Sequence, residues 1–210
     1  MKSLLVLVAI IICTAARAQT SQETITYNVA VENTQAAAML GEMHMVLYYK
    51  NGKSLFDMNS AVYSMKSLIT DSGTLMLMNT MGQKFYIKQP VQPEPANTDS
   101  IKPSIQYIDE SKDIAGYTCK KALIKMPGSA DTATFWYAEK LPVVGFGKDA
   151  AVLKALKGMP LEYEMTAGPM KMKLTAQKVS TDNIPESTFK LSTEGYSLMD
   201  NNTLQGMMQK

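Results

Sequence analysis

The residue types that most often carry catalytic or metal chemistry are scarce in this chain. Its 210 residues include one histidine, His44, two cysteines, Cys13 and Cys119, and one tryptophan, Trp136. A zinc site needs about four nitrogen, sulfur or oxygen ligands at defined spacing. The sequence also contains no Gly-x-Ser-x-Gly motif and no glycine-rich phosphate loop. This inventory predicts a protein that is not an enzyme and that uses no metal or cofactor.

Methionine is the unusual residue of the chain. There are 17 methionines, and they alternate in Met43-His44-Met45, Met76-Leu77-Met78 and Met170-Lys171-Met172. Residues two apart on a strand lie on one face, so each motif places two thioethers side by side. Three interpretations stay open: core filler, an adaptable apolar cavity, or a Cu(I) site formed by the first motif. The alternation disfavours copper, because it places the histidine on the face opposite both methionines.

Cys119 and Trp136 each allow a structural and a functional interpretation. Cys119 is either a buried structural thiol or, beside two lysines, a reactive thiol with a lowered pKa. Trp136 either anchors the core or flanks the mouth of a cavity. In both cases the strand alternation predicts that Phe135 and Tyr137 lie on the face opposite Trp136.

The N-terminal segment, residues 1–18, has the pattern of a secretory signal peptide. Lys2 precedes an apolar run, Leu4–Ile12, and Ala16-Arg17-Ala18 forms a small-x-small cleavage signal before Gln19. The run is about half the ~18 apolar residues of a membrane-spanning helix. We therefore expect cleavage before Gln19 and a periplasmic or secreted protein, residues 19–210, that is not integral to the membrane.

The charge balance excludes one class of partner. Removal of Lys2 and Arg17 lowers the 21 basic residues to 19, which equals the number of acidic residues. Arg17 is the only arginine, so the processed chain lacks the guanidinium groups that usually grip phosphates, and no nucleic-acid partner is expected. Lipoprotein anchoring at Cys13 is disfavoured because Ile12 stands where such signals have a small residue.

Short alternating segments separated by turn residues predict an antiparallel β protein, with Asn51-Gly52, Asp71-Ser72-Gly73 and Met81-Gly82 as tight reversals. The proline-rich residues 89–103 predict a loop rather than a domain boundary. Short helices are expected at 33–40, 148–157 and 201–208. The predicted strands are 24–31, 42–50, 53–59, 61–70, 74–80, 84–89, 104–109, 117–126, 133–139, 160–166, 170–180 and 187–191.

The segment from Leu161 to Ala176 predicts a hairpin with one charged and one apolar face. A two-residue turn centred on Ala167-Gly168 would pair complementary charges on one face and apolar side chains on the other. The expected pairs are Glu164 with Lys171, Glu162 with Lys173, Met165 with Met170, Tyr163 with Met172, and Leu161 with Leu174.

Several motifs resemble, in order, an uncharacterised exported Bacteroidetes family, the domain of unknown function 4412. They are Ile69-Thr70-Asp71-Ser72, Met81-Gly82-Gln83-Lys84, Ile114 to Ala122 (IAGYTCKKA), Trp136-Tyr137, Gly158 to Tyr163 (GMPLEY), Phe189 and Gly195-Tyr196. The resemblance implies a bacterial exported protein with a fold similar to the LolA/LolB lipoprotein carriers. Such a fold is α+β and mainly β: a single curved antiparallel sheet, or open half-barrel, around a helical plug. The resemblance implies no catalytic residue.

Two functions follow as expectations. The first is a non-catalytic binding or carrier module for a lipid or other apolar ligand of the cell envelope. Its ligand would contact the inner face of the sheet at Met76, Met78, Tyr163, Met165, Met172 and Leu174. The alternative is a protein-interaction module whose concavity is filled by its own side chains and whose partner is an envelope protein.

Overall fold

A computed structural model of the chain shows a mainly β protein built on one open sheet of twelve strands. It describes residues 22–91, 102–127, 131–143, 153, 155–167 and 170–199. The α-helix α1 spans Thr34–Leu40. The strands are β1 (Gln22–Val31), β2 (Met43–Lys50), β3 (Lys53–Asn59), β4 (Tyr63–Thr70), β5 (Gly73–Thr80), β6 (Gln83–Pro90), β7 (Ser104–Ile114), β8 (Tyr117–Lys125), β9 (Thr132–Ala138), β10 (Met159–Ala167), β11 (Met170–Ser180) and β12 (Ser197–Leu198).

The strand order confirms the predicted fold class, a mainly β protein on a single antiparallel sheet. Across the sheet the order is β12-β6-β5-β4-β3-β2-β1-β11-β10-β9-β8-β7. The two residues of β12 pair in parallel with β6, and every other neighbouring pair is antiparallel. Within the described residues, no helix is long and apolar enough to cross a membrane.

Tight turns form where the sequence predicts them. Asn51 and Gly52 have φ angles of 51° and 79°, and Met81 and Gly82 have φ angles of 49° and 83°. Two successive residues with positive φ match the right-handed twist of the strands that a two-residue turn joins. These turns connect β2 with β3 and β5 with β6, and they therefore determine which residues of those strands lie opposite each other.

Hydrophobic side chains cover both faces of the sheet, but unequally. The main cluster contains Ile25, Tyr27 and Val29, and we call the sheet face that these three residues occupy the inner face. On the opposite, outer face, a smaller cluster joins Leu55 and Leu68 to side chains of residues 184–191. The C-terminal segment therefore covers the outer face of β3 and β4.

A buried hydrogen bond links the central strand to a strand beyond its neighbour. The hydroxyl of Tyr27, on β1, donates to the carbonyl oxygen of Pro160, on β10, at 2.8 Å. Strand β11 lies between these two strands, and the β10–β9 register shifts next to Pro160. Because the β10–β9 pairing is interrupted here, the Pro160 carbonyl oxygen can accept a hydrogen bond from the Tyr27 hydroxyl. This bond connects β1 to β10 across β11.

The predicted register of the hairpin formed by β10 and β11 is wrong by two residues. Glu164 lies opposite Lys173, not Lys171, and Tyr163 lies opposite Leu174. The strands close at the pair Ala167–Met170. A turn centred on Ala167-Gly168 would make Pro169 a closing residue, and proline has no N–H for the closing hydrogen bond.

The two-residue shift alters individual partners but not the two faces. Because strand side chains alternate with a period of two, the charged and apolar faces of the hairpin stay as predicted. The charged pairing also survives in part, since the Lys173 ammonium lies 3.0 Å from the Glu162 carboxylate across a diagonal.

Eleven of the predicted strands coincide with β1 to β11, and the predicted strand 187–191 is wrong. Residues Glu186–Phe189 form a 3₁₀-helix instead. This segment crosses the outer face rather than extending an edge of the sheet. Its backbone N–H groups therefore form hydrogen bonds within the segment itself. Thr188 N–H donates to the Pro185 carbonyl and Lys190 N–H to that of Ser187.

Two further strand and helix predictions can be compared with the structure. The strand predicted at 104–109 continues to Ile114, with a β-bulge between Ile108 and Ser111 that suits an edge strand. The helix predicted at 33–40 is confirmed as α1, with the Asn33 side chain accepting hydrogen bonds from Gln35 and Ala36 N–H. The signal peptide, the 201–208 helix and most of the proline-rich loop and of the 148–157 helix lie outside the described residues.

Removal of the buried tyrosine hydroxyl should destabilise the fold. In Tyr27→Phe the Pro160 carbonyl loses its donor, which we expect to cost about 1–2 kcal/mol and to lower the thermal midpoint by several degrees. The control is Tyr107→Phe, whose hydroxyl contacts the Ala155 carbonyl at 3.2 Å on an exposed side chain. Equal thermal midpoints for both variants in calorimetry would contradict the prediction.

Candidate functional site

The strand register brings four methionines of the inner face into one line across neighbouring strands. Met45 of β2 lies opposite Met58 of β3, which lies opposite Met65 of β4, which lies opposite Met78 of β5. Directly opposed Cβ atoms are about 4.5–5.5 Å apart, so the thioethers are neighbours. We call these four residues the methionine row. Tyr27 flanks it on β1 and Phe85 on β6.

The methionine row is buried at its β2–β3 end and partly exposed at its β4–β5 end, which we call its open end. Met45 and Met58 are buried in the main hydrophobic cluster. Met65 and Met78 are only partly buried, and so are their neighbours Met76 and Phe85. The inner face of β4 to β6 therefore presents apolar side chains that the described residues cover incompletely.

The six residues predicted to contact a ligand all lie on the inner face, but they form two separate groups. Tyr163, Met172 and Leu174 are buried in the main cluster, and Met165 packs against it. Met76 and Met78 lie on β5, which four strands separate from β11. At about 4.8 Å between neighbouring strands, the five steps from β5 to β11 separate the two groups by about 24 Å along the sheet.

Aromatic side chains fill the space around Tyr163. The ring of Phe135 stacks on it with a centroid distance of 5.6 Å and an interplanar angle of 7°. Tyr27 meets it edge-on at 6.0 Å. This group of the predicted site is consequently part of a close-packed core.

Two shallow pockets occur elsewhere in the described chain. One, of about 280 Å³, lies between the turn that joins β3 to β4 and the turn that joins β5 to β6, and is lined by Val62, Tyr63, Asn79 and Met81 among others. The other, of about 240 Å³, lies on the outer face beside residues 182–185. None of the six predicted ligand residues lines either pocket.

His44 lies where the alternation predicts. Its neighbours Met43 and Met45 are buried on the inner face, whereas His44 is exposed on the outer face, with Nε2 3.8 Å from Glu42. The three residues therefore do not converge on one point. In the described part of the chain, no group of three or more His, Cys, Asp or Glu side chains could hold a metal ion.

Trp136 lies on the outer face, opposite Glu162, and Phe135 and Tyr137 are buried on the other side as predicted. The Lys112 ammonium lies 4.4 Å from the centre of the Trp136 ring and 2.9 Å from the Glu162 carboxylate. Burial alone would raise the pKa of Glu162, but Lys112 and Lys173 outweigh it and the pKa is lowered. Trp136 is therefore partly buried, packs against the main hydrophobic cluster and also contacts the charged pair of Lys112 and Glu162.

Cys119 is completely buried. Burial raises the pKa of its thiol to about 11, although the nearby Lys112 ammonium acts in the opposite direction. Because the thiolate is the nucleophile, a thiol with this pKa is unreactive near neutral pH. The structure favours the structural interpretation of this cysteine.

Glu23 is a buried carboxyl at the start of β1. It is 8% exposed, lies opposite Tyr49 on the inner face, and forms no hydrogen bond or ion pair with the other described residues. Burial raises its pKa from 4.5 to about 7. Sequence analysis did not identify Glu23, although its position two residues before Ile25 in an alternating strand indicates the inner face.

The stability of the protein should decrease as pH rises from about 4.5 to about 7, because Glu23 keeps its proton in the folded state after the unfolded chain has lost it. Glu23→Gln removes this effect. We expect the variant to match the wild type below about pH 4.5 and to be more stable by up to roughly 3 kcal/mol above pH 7.

Urea unfolding across this pH range measures the difference in the free energy of unfolding. The exposed carboxyl Glu194 gives the control variant, Glu194→Gln, which should leave the pH dependence as in the wild type. A Glu23→Gln advantage that stays constant with pH would contradict the prediction.

Comparisons with known proteins establish similarity in fold only. No protein-family model matches the chain, and no curated protein is significantly similar to it in sequence. Two solved structures of PNGF-II, from crystals in space groups C2 and P2₁, each match 90% of this chain with a TM-score of 0.52 and 16% sequence identity. The match spans 33% of each PNGF-II chain, so this chain is similar to about a third of that protein.

Proposed function

We propose that the protein is an exported, non-catalytic binding or carrier module for a lipid or other apolar ligand of the cell envelope. The observation that carries this proposal is the incomplete burial of Met65, Met76 and Met78 on the inner face. Methionine side chains are flexible and polarizable, so a methionine surface adapts to apolar ligands of varied shape. The sequence pattern of residues 1–18 supports export, and the open antiparallel sheet is compatible with a LolA/LolB-like carrier.

The ligand in this proposal lies against β4 to β6. Tyr163, Met172 and Leu174 were also expected to contact it, but they are buried among protein side chains. A ligand could reach them only by displacing the core, whereas the open end of the methionine row needs no such displacement. Burial of an acyl chain is favourable by ~0.8 kcal/mol per CH₂, so a chain of ~10 methylenes supplies several kcal/mol after the ordering cost.

A titration with a fluorescent acyl probe tests this proposal on delipidated protein. Met78→Gln should weaken probe binding several-fold, because the amide must be desolvated against the chain, and should change the thermal midpoint little because Met78 is partly exposed. The matched control is Met81→Gln, the same substitution at an exposed methionine in the adjoining turn. Equal probe affinity in the two variants would contradict the assignment of the ligand to β5.

Met172→Gln should behave differently from Met78→Gln. Met172 is 3% exposed, so the substitution buries an unsatisfied amide at a cost of about 1–3 kcal/mol and should lower the thermal midpoint by several degrees. Differential scanning calorimetry of the three methionine variants makes the comparison. A Met172→Gln protein with the wild-type midpoint and weakened probe binding would instead assign the ligand to the β10–β11 region.

The second candidate is a protein-interaction module of the cell envelope. The close-packed aromatic side chains around Tyr163 favour it, since they fill the region in which a cavity was expected. This function predicts that delipidated wild-type protein takes up no acyl probe at any accessible concentration. That result would contradict the carrier proposal and favour the interaction module.

A further inference from the structure

Three apolar side chains protrude together at one end of the sheet. Met39 at the end of α1 is 60% exposed, Val62 in the turn before β4 is 41% exposed, and Met81 in the turn before β6 is 77% exposed. Large apolar side chains in separate loops are common on protein surfaces, but a group of them at one place indicates an interaction site.

Backbone hydrogen bonds hold the three segments together. Ala61 N–H donates to the Leu40 carbonyl and Met81 N–H donates to the Val62 carbonyl, both at 3.2 Å. A Cβ at Gly41 would lie 3.7 Å from the Ala61 Cβ, so the end of α1 touches the turn. We call residues 33–41, 59–64 and 79–83 the tip surface.

The tip surface carries no ionisable acid or base of the Asp, Glu, Lys, Arg or His type. Charged residues adjoin it directly: the exposed Glu32 and Glu42 on either side of the first segment, and Lys84 after the third. The 280 Å³ pocket lies between Val62 and Met81, and next to it the Asn79 side-chain oxygen is buried without a hydrogen-bond partner among the described residues.

The position of the tip surface relates it to the methionine row. Val62 immediately precedes β4, and Met65 lies three residues further along that strand. Met81 follows β5, and Met78 lies three residues earlier. At about 3.4 Å per residue, the protruding side chains lie on the order of 10 Å from the open end of the methionine row.

We propose that the tip surface docks onto a lipid bilayer, with Met39, Val62 and Met81 inserting into the interface and lipid passing from there to the methionine row. This inference rests on the proposed function for the fate of the lipid, but membrane docking itself is independent of it. The absence of charge on the tip surface fits a neutral membrane.

A bilayer fits the tip surface better than a folded protein does. Stable protein interfaces bury about 800 Å² on each partner, which the three protruding apolar side chains cannot provide by themselves. Apolar side chains that enter the boundary between headgroups and acyl chains bind in proportion to their buried area and need no complementary partner surface.

Flotation of the purified wild-type protein with vesicles of phosphatidylethanolamine and phosphatidylcholine in equal parts tests the proposal. We expect binding that persists at about 0.5 M NaCl, because no ion pair contributes. The double variant Met39→Gln/Met81→Gln should lose about ten-fold or more in vesicle partitioning with little change in thermal midpoint.

The matched control is Val91→Asn/Met126→Gln, which changes two exposed apolar side chains far from the tip surface and should float as the wild type does. Absence of vesicle binding by the wild type, equal loss in both double variants, or binding abolished by salt would overturn the proposal. Sedimentation without lipid gives a further test. If the wild type is a dimer and Met39→Gln/Met81→Gln is a monomer, the proposal is also overturned, because the tip surface would then bind a second copy of the chain.

The same proteins separate this inference from the proposed function. Met78→Gln should keep vesicle binding while losing affinity for the soluble acyl probe, and Met39→Gln/Met81→Gln should keep the probe and lose the vesicles. Probe uptake without vesicle binding overturns only membrane docking, and vesicle binding without probe uptake overturns only the carrier function.

Discussion

Pairing of residues directly across antiparallel strands is the constraint on which the structure depends. Two opposed residues share a face, so each tight turn determines the face and the neighbours of every side chain in its hairpin. The Asn51-Gly52 and Met81-Gly82 turns impose this register on β2, β3, β5 and β6. The methionine row, the buried core and the exposed position of His44 are all consequences of it.

The inner face combines a rigid and an adaptable region. Around β1, β10 and β11, aromatic rings and the bond from Tyr27 to Pro160 leave little freedom for side chains to move. Around β4 to β6, methionines with three rotatable bonds and partial exposure replace them. In the proposed function, the apolar ligand binds to the adaptable region.

Polar groups on the two faces of the sheet make structural contacts between strands. Lys112 bridges Trp136 and Glu162, so it links the edge strand β7 to β9 and β10. Glu23 is the exception, because it is buried without a cation among the described residues and its raised pKa predicts a stability that depends on pH. The similarity to PNGF-II concerns the fold and gives no information on the chemistry of these groups.

The sequence by itself determined strands β1 to β11, the turns at Asn51-Gly52 and Met81-Gly82, helix α1 and the two faces of the β10–β11 hairpin, because alternation and turn chemistry are local. For the same reason it placed His44 on the face opposite Met43 and Met45, and Trp136 on the face opposite Phe135 and Tyr137. The β10–β11 register, the 3₁₀-helix at Glu186–Phe189 and the division of the six predicted site residues into two groups were decided only by the tertiary structure. Methionines far apart in the chain become neighbours through successive strand pairings, and a local pattern carries no information on which strands pair or on which side chains another segment covers.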